Sequence, residues 1–369
     1  MAGAMRCVIN RFRRREDAAP ANAHVRDFHR TLPGYEPTPL IRRPVLAQAL
    51  GLSELYVKYE GPRFGLGAFK GLGASWALHR LSQLQPGTIA TVSAASEGNH
   101  GRAVAWAARL QGISCVIFLP SHVATERVEN IRREGARVML VDGSYEDAVH
   151  RCDAESRERG WQVISDVGYD GYLDIPELVV EGYGTLFQEL EDQLDASGWP
   201  QPDVVLIPGG VGGILHAGVV HYAHRPAGPR VVGVEPSSAD CLTTSLESPD
   251  GRPTVATGDG ATTMACLNCA EVSLSSWPAI RAGVDAMIAI DDRDAEEGVR
   301  LLHRAAPGDT ALEAGTSGAA TTGALAALMR DARLRSLRDR LELGPSSRVL
   351  VLCTEDAINR AEFERCLSG

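Results

Sequence analysis

A glycine-rich turn and a lysine have the clearest chemical potential in this sequence. The turn runs from Pro208 to Gly213 (PGGVGG), after the apolar stretch 204–207 and before a helical segment from about Ile214. Glycines there let successive backbone N–H groups point at one spot near a helix N-terminus, which favours a bound phosphate. Leu215 breaks a G-x-G-x-x-G pattern counted from Gly210, and no P-loop Lys-Ser/Thr follows, so a single phosphate is favoured over a dinucleotide. A turn that needs glycine for steric reasons alone is the alternative.

Lys70 lies between Phe69 and Gly71 in a run of small and apolar residues, RFGLGAFKGLG. A desolvated lysine loses its proton more easily and becomes a nucleophile towards carbonyl groups. A lysine in isolation is more often a surface charge. Together with a monophosphate turn in one α/β protein, however, it indicates pyridoxal phosphate, which links to a lysine as a Schiff base.

Two further loops carry polar groups. In SEGNHG, residues 96–101, the backbone N–H groups and the Ser96 hydroxyl could hold a carboxylate at a helix N-terminus, and Asn99 could donate to a phenolate oxygen. Glu97 is an available acid or base, although Ser96 acting as an ordinary helix cap is the alternative. In CTED, residues 353–356, the Thr354 hydroxyl could bond a ring nitrogen, or the segment is a plain strand terminus.

The elements that must position these loops alternate between strand and helix. Short apolar runs predict strands at 55–58, 88–93, 115–119, 138–141, 204–207, 231–234 and 349–352. Helical segments are predicted at 70–83, 102–110 and 146–159. This alternation is typical of an α/β protein with parallel sheets covered on both faces. Ligands of such sheets bind beyond the carboxyl ends of the strands, where all four loops lie.

Composition excludes several classes of protein. The 369 residues are 44% hydrophobic with a formal net charge of −10, too apolar for a disordered chain and too acidic for a nucleic-acid partner. No apolar run is long enough to span a bilayer, so no membrane partner is expected. Cys266 and Cys269 form a lone C-x-x-C, which is weak evidence for zinc, and no metal is expected. The eight cysteines suit a cytoplasmic enzyme, whereas any pairing of Cys241, Cys266 or Cys269 stays open.

Several segments resemble the fold-type II pyridoxal-phosphate enzymes, and most closely the diaminopropionate ammonia-lyase family. They include GYEPTPL (34–40), RFGLGAFKGLGAS (63–75), EGNHGRAVAWAARLQG (97–112), SDVGYDGY (165–172) and GGVGGI (209–214). The resemblance runs in order from about residue 25 to residue 357. It implies the tryptophan synthase β-like fold, with two open parallel-sheet α/β domains and the cofactor in the cleft between them.

The resemblance also implies how the cofactor is held. Lys70 would form the Schiff base, Phe69 would pack near the cofactor, and Asn99 would donate to its 3′-oxygen. Thr354 would face the pyridine nitrogen as a neutral partner. The implied phosphate loop comprises Gly210, Val211, Gly212, Gly213 and Ile214.

For the substrate, the resemblance implies a small amino acid such as 2,3-diaminopropionate. Lys70 would take the Cα proton, at least from an L-substrate, and Glu97 or Asp166 would protonate the leaving group or act as base on a D-substrate. The carboxylate would be held by Ser96, Gly98 and His100. The expected reaction is a β-elimination, via an aminoacrylate, to a 2-oxo acid and ammonia.

The implied organisation is an N-terminal arm at 1–24, expected to be solvated, and two domains. The large cofactor-binding domain is discontinuous, at 25–90 and 191–369, and the small domain covers 91–190. Related enzymes are commonly homodimers, so a homodimer is expected.

Three departures from the family pattern leave the chemistry open. Glu97 replaces an aspartate, Thr316 stands where a glutamate is expected, so that a charge near the cofactor is missing, and KYEG at 58–61 replaces Lys-Asp-Glu-Ser. A β-replacement synthase, or another specialised biosynthetic enzyme on the same scaffold, is therefore the alternative to a lyase. A non-catalytic binding paralogue is the third hypothesis, against which the intact Lys70 weighs.

Overall fold

The computed structural model describes residues 5–14, 24–96, 98–223, 225 and 228–369. Its strands are β1 (Arg6–Ile9), β2 (Leu40–Arg42), β3 (Glu54–Tyr59), β4 (Thr91–Ala95), β5 (Ser114–Pro120), β6 (Arg137–Val141), β7 (Gln162–Val163), β8 (Val204–Pro208), β9 (Arg230–Pro236), β10 (Ala286–Ile290) and β11 (Arg348–Cys353). Its helices are α1 (Val25–Arg30), α2 (Pro44–Ala49), α3 (Gly71–Leu84), α4 (Asn99–Leu110), α5 (Thr125–Arg133), α6 (Tyr145–Arg159), α7 (Asp174–Ser197), α8 (Gly213–Ala223), α9 (Cys241–Glu247), α10 (Trp277–Gly283), α11 (Asp292–His303), α12 (Thr316–Arg330), α13 (Arg335–Arg340) and α14 (Arg360–Ser368).

The larger sheet has seven strands in the order β1-β10-β9-β8-β11-β3-β2. The five central strands are parallel, and β1 and β2 close the two edges in antiparallel pairing. Both faces are buried: in β11, Val349 and Val351 join the core on one side, and Leu350 and Leu352 join the core on the other. A strand buried on both faces must be apolar throughout, which explains the continuous apolar runs in the sequence.

The smaller sheet has four parallel strands in the order β6-β5-β4-β7. Alanines of α4, including Ala103 and Ala107, pack with Ile117 of β5 in a separate core. The fold class predicted from the sequence, α/β with two parallel sheets, is confirmed.

Two predictions about the chain ends and strands need correction. The N-terminal arm is not simply solvated, because Arg6–Ile9 pair with β10 and cover an edge of the large sheet. Strand β10 itself, AMIAI, was missed, since its alanines give it a weak β-branched signal. Helix α7 runs through residue 190, and the division into 25–90 with 191–369 and 91–190 stays a prediction.

Close packing of α3 on α7 fixes the segment that begins just after Lys70. A Cβ on Gly182 of α7 would lie 2.5 Å from the Leu72 carbonyl oxygen and 2.7 Å from the Cα of Gly73. A Cβ on Gly73 would meet the Val179 side chain at 2.6 Å. Only glycine allows the two backbones to come this close, so the helix that carries the lysine has little freedom to shift.

We expect Gly182→Ala to destabilise the protein by about 1–3 kcal/mol, because the added methyl group overlaps backbone atoms that have no room to move. Gly184→Ala is the matched control, since a Cβ there meets nothing within 4 Å on the same helix. The control should be neutral or stabilising by up to about 1 kcal/mol, because alanine is the better helix former. Urea unfolding of both variants measures this, and equal effects would contradict the packing argument.

Candidate active site

Lys70 lies at the N-terminal end of α3, where the loop from the carboxyl end of β3 enters the helix. Its Nζ donates to Asp166 Oδ2 at 2.6 Å, and the two side chains are 19% and 13% exposed. Asp166 follows β7 in the small sheet and is held by the turn that leads into α7. Phe69 and Tyr183 of α7 flank the amine, with ring centroids 5.2 and 5.9 Å from Nζ. Lys70 and Asp166, for each of which the family resemblance implies a role in proton transfer, are therefore in direct contact.

The ion pair fixes the charge state of both groups. Burial disfavours the charged form of Lys70, but the Asp166 carboxylate outweighs this and holds the lysine pKa above its usual range. Burial likewise opposes ionisation of Asp166, yet His100 and Lys70 together hold its pKa below its usual range. In the cofactor-free chain the lysine is an ammonium and the aspartate a carboxylate.

The chain has two lysines among its 37 lysines and arginines, and the second, Lys58, is fully enclosed. Its Nζ donates to the Thr38 carbonyl at 2.7 Å, to Glu189 Oε2 at 3.0 Å and to Gln193 Oε1 at 3.0 Å. All three ammonium protons are used, so this amine cannot reach a ligand. Lys70 is the one lysine side chain available for covalent chemistry.

His100, the second residue of α4, reaches Asp166 from another side. Its Nε2 lies 2.9 Å from the Ile164 carbonyl oxygen, and its Nδ1 lies 3.7 Å from Asp166 Oδ2. The ring is 6% exposed, and Nδ1 has no hydrogen-bond partner in the described part of the chain.

Asn99 opens α4 and turns its amide towards the large sheet. Its Nδ2 donates to Glu355 Oε2 at 2.7 Å and contacts Cys266 Sγ at 3.3 Å. Burial raises the pKa of Glu355 above its usual range, so this carboxyl retains its proton more readily than an exposed glutamate. The sequence indicated no role beside Asn99 for Glu355 of the CTED segment or for Cys266 of the C-x-x-C, because only the fold brings them to it.

The start of α4 is organised by Ser96. Its Oγ accepts hydrogen bonds from the backbone N–H groups of Gly98 at 3.0 Å and Gly101 at 2.9 Å. This is the helix-cap geometry that the sequence left open for Ser96, and the hydroxyl proton is still able to donate to a ligand. Glu97, a predicted catalytic residue, lies outside the described residues.

The glycine turn after β8 has the geometry of an anion site. Gly210 and Gly212 have φ values of 56° and 106°, which glycine adopts without strain. A Cβ on Gly212 would lie 2.5 Å from Ile280 Cδ1. Within the described part of the chain, the N–H groups of Val211, Gly213 and Ile214 have no backbone acceptor at this helix start. These donors and the α8 dipole fit a phosphate group.

Contacts between side chains join the glycine turn to the lysine. The Tyr183 ring packs on Phe69 with centroids 4.8 Å apart, and its other edge faces Gly213, where a Cβ would lie 3.5 Å away. On the opposite side, the Cys266 carbonyl would lie 3.6 Å from a Cβ on Gly210. A phosphate bound at the turn and a carbonyl carbon bound to Lys70 would therefore contact the same surface, formed by Phe69, Tyr183 and Gly213. This arrangement fits pyridoxal phosphate.

Thr354 follows β11 and is buried beside the lysine loop, its carbonyl accepting from the Phe69 N–H at 3.2 Å. Thr316, one of the departures, has its Oγ1 2.7 Å from the Thr263 carbonyl oxygen and 2.8 Å from Glu362 Oε1, and its single proton goes to one of the two. The carboxyl groups near residue 316 therefore belong to Glu362 and Glu355, because residue 316 itself is a threonine.

Three further features of the described residues concern disulfides, metals and membranes. None of the eight cysteines forms a disulfide bond. Among the described residues, no cluster of three or more histidine, cysteine or acidic side chains is arranged to ligate a metal. In the same part of the chain, no helix combines the length and apolarity needed to cross a bilayer.

We expect Asp166→Asn to destabilise the cofactor-free protein by about 3 kcal/mol near pH 7, because it leaves the Lys70 ammonium partly buried without a counter-charge. Asp166 has a lowered pKa, so its contribution is complete above about pH 5 and is lost as the pH falls below the unfolded value of about 4. The raised pKa of Lys70 keeps the contribution intact up to about pH 10. Urea unfolding across this pH range measures it.

Asp153→Asn is the matched control for that experiment, because Asp153 pairs with Arg157, a side chain 78% exposed. Such a pair contributes less than about 1 kcal/mol. A loss in Asp166→Asn that is no larger than in the control, or that does not shrink in acid, would show that the Lys70–Asp166 pair is not formed.

Comparison with known proteins agrees with this geometry. The family described as "Pyridoxal-phosphate dependent enzyme" matches residues 31–355. The diaminopropionate ammonia-lyase of Salmonella typhimurium is 36% identical over 351 residues, 89% of this chain and 87% of the relative. The enzyme of the same name from Escherichia coli K12 is 35% identical over 349 residues, with the same coverage.

Solved structures give the same result. The Escherichia coli diaminopropionate ammonia lyase in complex with an aminoacrylate-PLP azomethine reaction intermediate has a TM-score of 0.91 and 31% identity, covering 100% of this chain and 97% of that one. The processed form of threonine deaminase isoform 2 from Solanum lycopersicum has a TM-score of 0.77 at 19% identity, a likeness of fold alone, and covers 100% of this chain and 97% of that one.

Proposed function

The chain belongs to the family of pyridoxal-phosphate dependent enzymes, and from that premise we propose that it is an ammonia-lyase acting on 2,3-diaminopropionate. The reaction is a β-elimination that yields pyruvate and ammonia. The observation that carries the proposal is the contact between Lys70 and Asp166, because it places a lysine nitrogen, nucleophilic once it loses its proton, 2.6 Å from a second proton-transfer group. The named relatives, which this chain matches over most of its length, support the substrate.

When bound, pyridoxal phosphate supplies an aldehyde carbon that captures amines and a ring that withdraws electrons from the substrate Cα. The phosphate would be held by the turn comprising Gly210, Val211, Gly212, Gly213 and Ile214. Phe69 and Tyr183 wall the site beside the amine. Asn99 presents its amide N–H groups to the ring oxygen, and Thr354 offers a neutral hydroxyl to the ring nitrogen.

Proton transfer at the substrate falls to Lys70 and Asp166. While Lys70 is an ammonium, its charge holds Asp166 as a weak base. Where the Lys70 nitrogen is uncharged, the basicity of Asp166 would be higher. As a free, uncharged amine, Lys70 would take the Cα proton of an L-substrate, and Asp166 would take that of a D-substrate. General acid–base catalysis of this kind contributes roughly 10²–10⁴-fold.

The substrate carboxylate is assigned to the start of α4, where Ser96, Gly98 and His100 lie. Helix N-termini bind carboxylates through their free N–H groups. Glu97, one residue inside this loop, is proposed as the acid that protonates the departing amino group. Its side chain is one methylene longer than the aspartate of the family pattern, which moves the carboxylate by about 1 Å, and a shift of that size is enough to change rates.

We also propose that the enzyme acts as a homodimer in the cytoplasm. The resemblance to enzymes that are commonly dimeric supports the first part. The eight cysteines, five of them buried and none in a disulfide bond, support a reducing compartment. Light scattering of the purified protein would give the oligomeric state directly, and a monomeric mass would refute the dimer.

We expect the loaded enzyme to release pyruvate and ammonia from both D- and L-2,3-diaminopropionate. Asp166→Asn should lower kcat for the D-isomer by at least about 100-fold and spare the L-isomer more, because the two hands use different bases. Coupled assays for pyruvate and ammonia measure this, with serine, threonine and O-activated serines as comparison substrates.

Two outcomes would contradict the proposal. Equal losses of kcat on both isomers would show that Lys70 and Asp166 do not act on different isomers. The absence of a 2-oxo acid from every substrate, with new amino acids formed when thiols or amines are added, would identify a β-replacement synthase instead. The Thr316 and Glu97 departures are the features of this chain that favour that second candidate.

A further inference from the structure

Among the described residues, Nδ1 of the buried His100 ring faces the reacting groups without a hydrogen-bond partner. Its side chain is 6% exposed, and Nδ1 makes no hydrogen bond among the described residues. Buried polar atoms left without a partner are uncommon and costly, so each needs a physical reason. Here the nearest charged atom is Asp166 Oδ2, 3.7 Å away and just beyond hydrogen-bond distance.

The bond on the other ring nitrogen determines what Nδ1 can be. Nε2 lies 2.9 Å from the Ile164 carbonyl oxygen, which only accepts, so Nε2 carries a proton. Nδ1 of a neutral ring is then a bare acceptor directed at a carboxylate, which is unfavourable. With a second proton the ring is an imidazolium and Nδ1 becomes a donor to Asp166.

The need for such a donor depends on Lys70. Among the described residues, four titratable groups act on the carboxylate of Asp166, namely Lys70, His100, Tyr172 of its own loop and Tyr183 of α7. Burial raises the pKa of both tyrosines, so they stay neutral. With the Lys70 amine withdrawn from Asp166, an imidazolium at His100, 3.7 Å away, can donate to the carboxylate in its place.

We propose that His100 is a positioning residue for Asp166, donating from Nδ1 to the carboxylate whenever Lys70 is withdrawn from it. This inference goes beyond the proposed function and in part rests on it, since it concerns the base assigned to D-substrates. His100 shares its proton with the carboxylate, keeps it pointed at the cleft and replaces the lost positive charge. A gap of 3.7 Å closes to a hydrogen bond with a movement of about 1 Å.

The alternative is a purely structural ring that ties α4 to the end of β7 through Ile164. Two substitutions separate the two roles. The amide of His100→Gln reaches the position of Nε2, so it keeps a donor for Ile164 and removes the nitrogen that faces Asp166. The shorter His100→Asn places its amide near the Nδ1 position and gives up the bond to Ile164.

The first test needs neither cofactor nor substrate. In the cofactor-free chain, a double-mutant cycle of His100→Gln with Asp166→Asn is measured by urea unfolding, once with Lys70 present and once in a Lys70→Ala background. Because the carboxylate already pairs with Lys70 and also faces His100, we expect a modest coupling with Lys70 present, of about threefold in the unfolding equilibrium constant. It should rise to at least about tenfold, or about 1.4 kcal/mol, in Lys70→Ala. Coupling that is the same in both backgrounds overturns the proposal.

The second test uses the loaded enzyme. His100→Gln should lower kcat for D-2,3-diaminopropionate by at least about tenfold more than for the L-isomer, and His100→Asn should recover part of the D-isomer rate. If His100→Asn is the worse variant on the D-isomer, or if both isomers suffer equally, the ring acts only through Ile164 and the proposal is wrong. If the wild type uses neither isomer, the proposed function fails, while the double-mutant cycle still decides the role of His100.

Discussion

The structure of the site depends on one contact, that between the Lys70 amine and the Asp166 carboxylate. Neither charge is tolerated alone at this depth, and each holds the other ionised. The contact also joins the two sheets, since Lys70 follows a strand of the large sheet and Asp166 follows β7 of the small one. The Lys70–Asp166 ion pair therefore links the two sides of the cleft in the cofactor-free chain. A carbonyl ligand that takes the lysine must break the ion pair, which leaves a buried carboxylate that is free to accept a proton.

A second set of buried charges keeps the approach to Lys70 rigid. The Arg63 guanidinium donates to Glu60 Oε2 at 2.8 Å and to Glu189 Oε1 at 2.7 Å. Lys58, a residue of β3, pairs with the same Glu189 carboxylate. These groups are almost completely enclosed, and every charge has an opposite partner, as burial requires. The network anchors the segment between β3 and α3 to α7, and it occupies the second lysine of the chain completely. The two lysines therefore differ in their acceptors. Lys58 has three, whereas Lys70 has, among the described residues, only the Asp166 carboxylate, and that contact would be lost when the amine binds the cofactor.

The sequence predicts those parts of the site that local rules determine. A glycine turn between an apolar strand and a helix needs no distant partner, and neither does the polar loop at the start of α4. Side-chain partners are different, because Asn99 meets Glu355 across 256 positions and Lys70 meets Asp166 across 96. No spacing rule finds such pairs. Strand β1 was read as a solvated arm for a similar reason, since RCVI gains its pairing only from β10. The contact between Thr316 and Glu362 is likewise a tertiary effect.

The central claim is that Lys70, in contact with Asp166, is the residue that binds the cofactor covalently. Borohydride reduction of the pyridoxal-phosphate-loaded protein, followed by proteolysis and mass spectrometry, tests it most directly. The chain offers two lysine side chains and the N-terminal amine as attachment points. We expect the reduced cofactor on the Lys70 peptide at close to one per chain. Lys58 should be unmodified, because its amine is bonded to three acceptors. Cofactor on the Lys58 peptide or at the N-terminus, or no covalent cofactor at all, would contradict it.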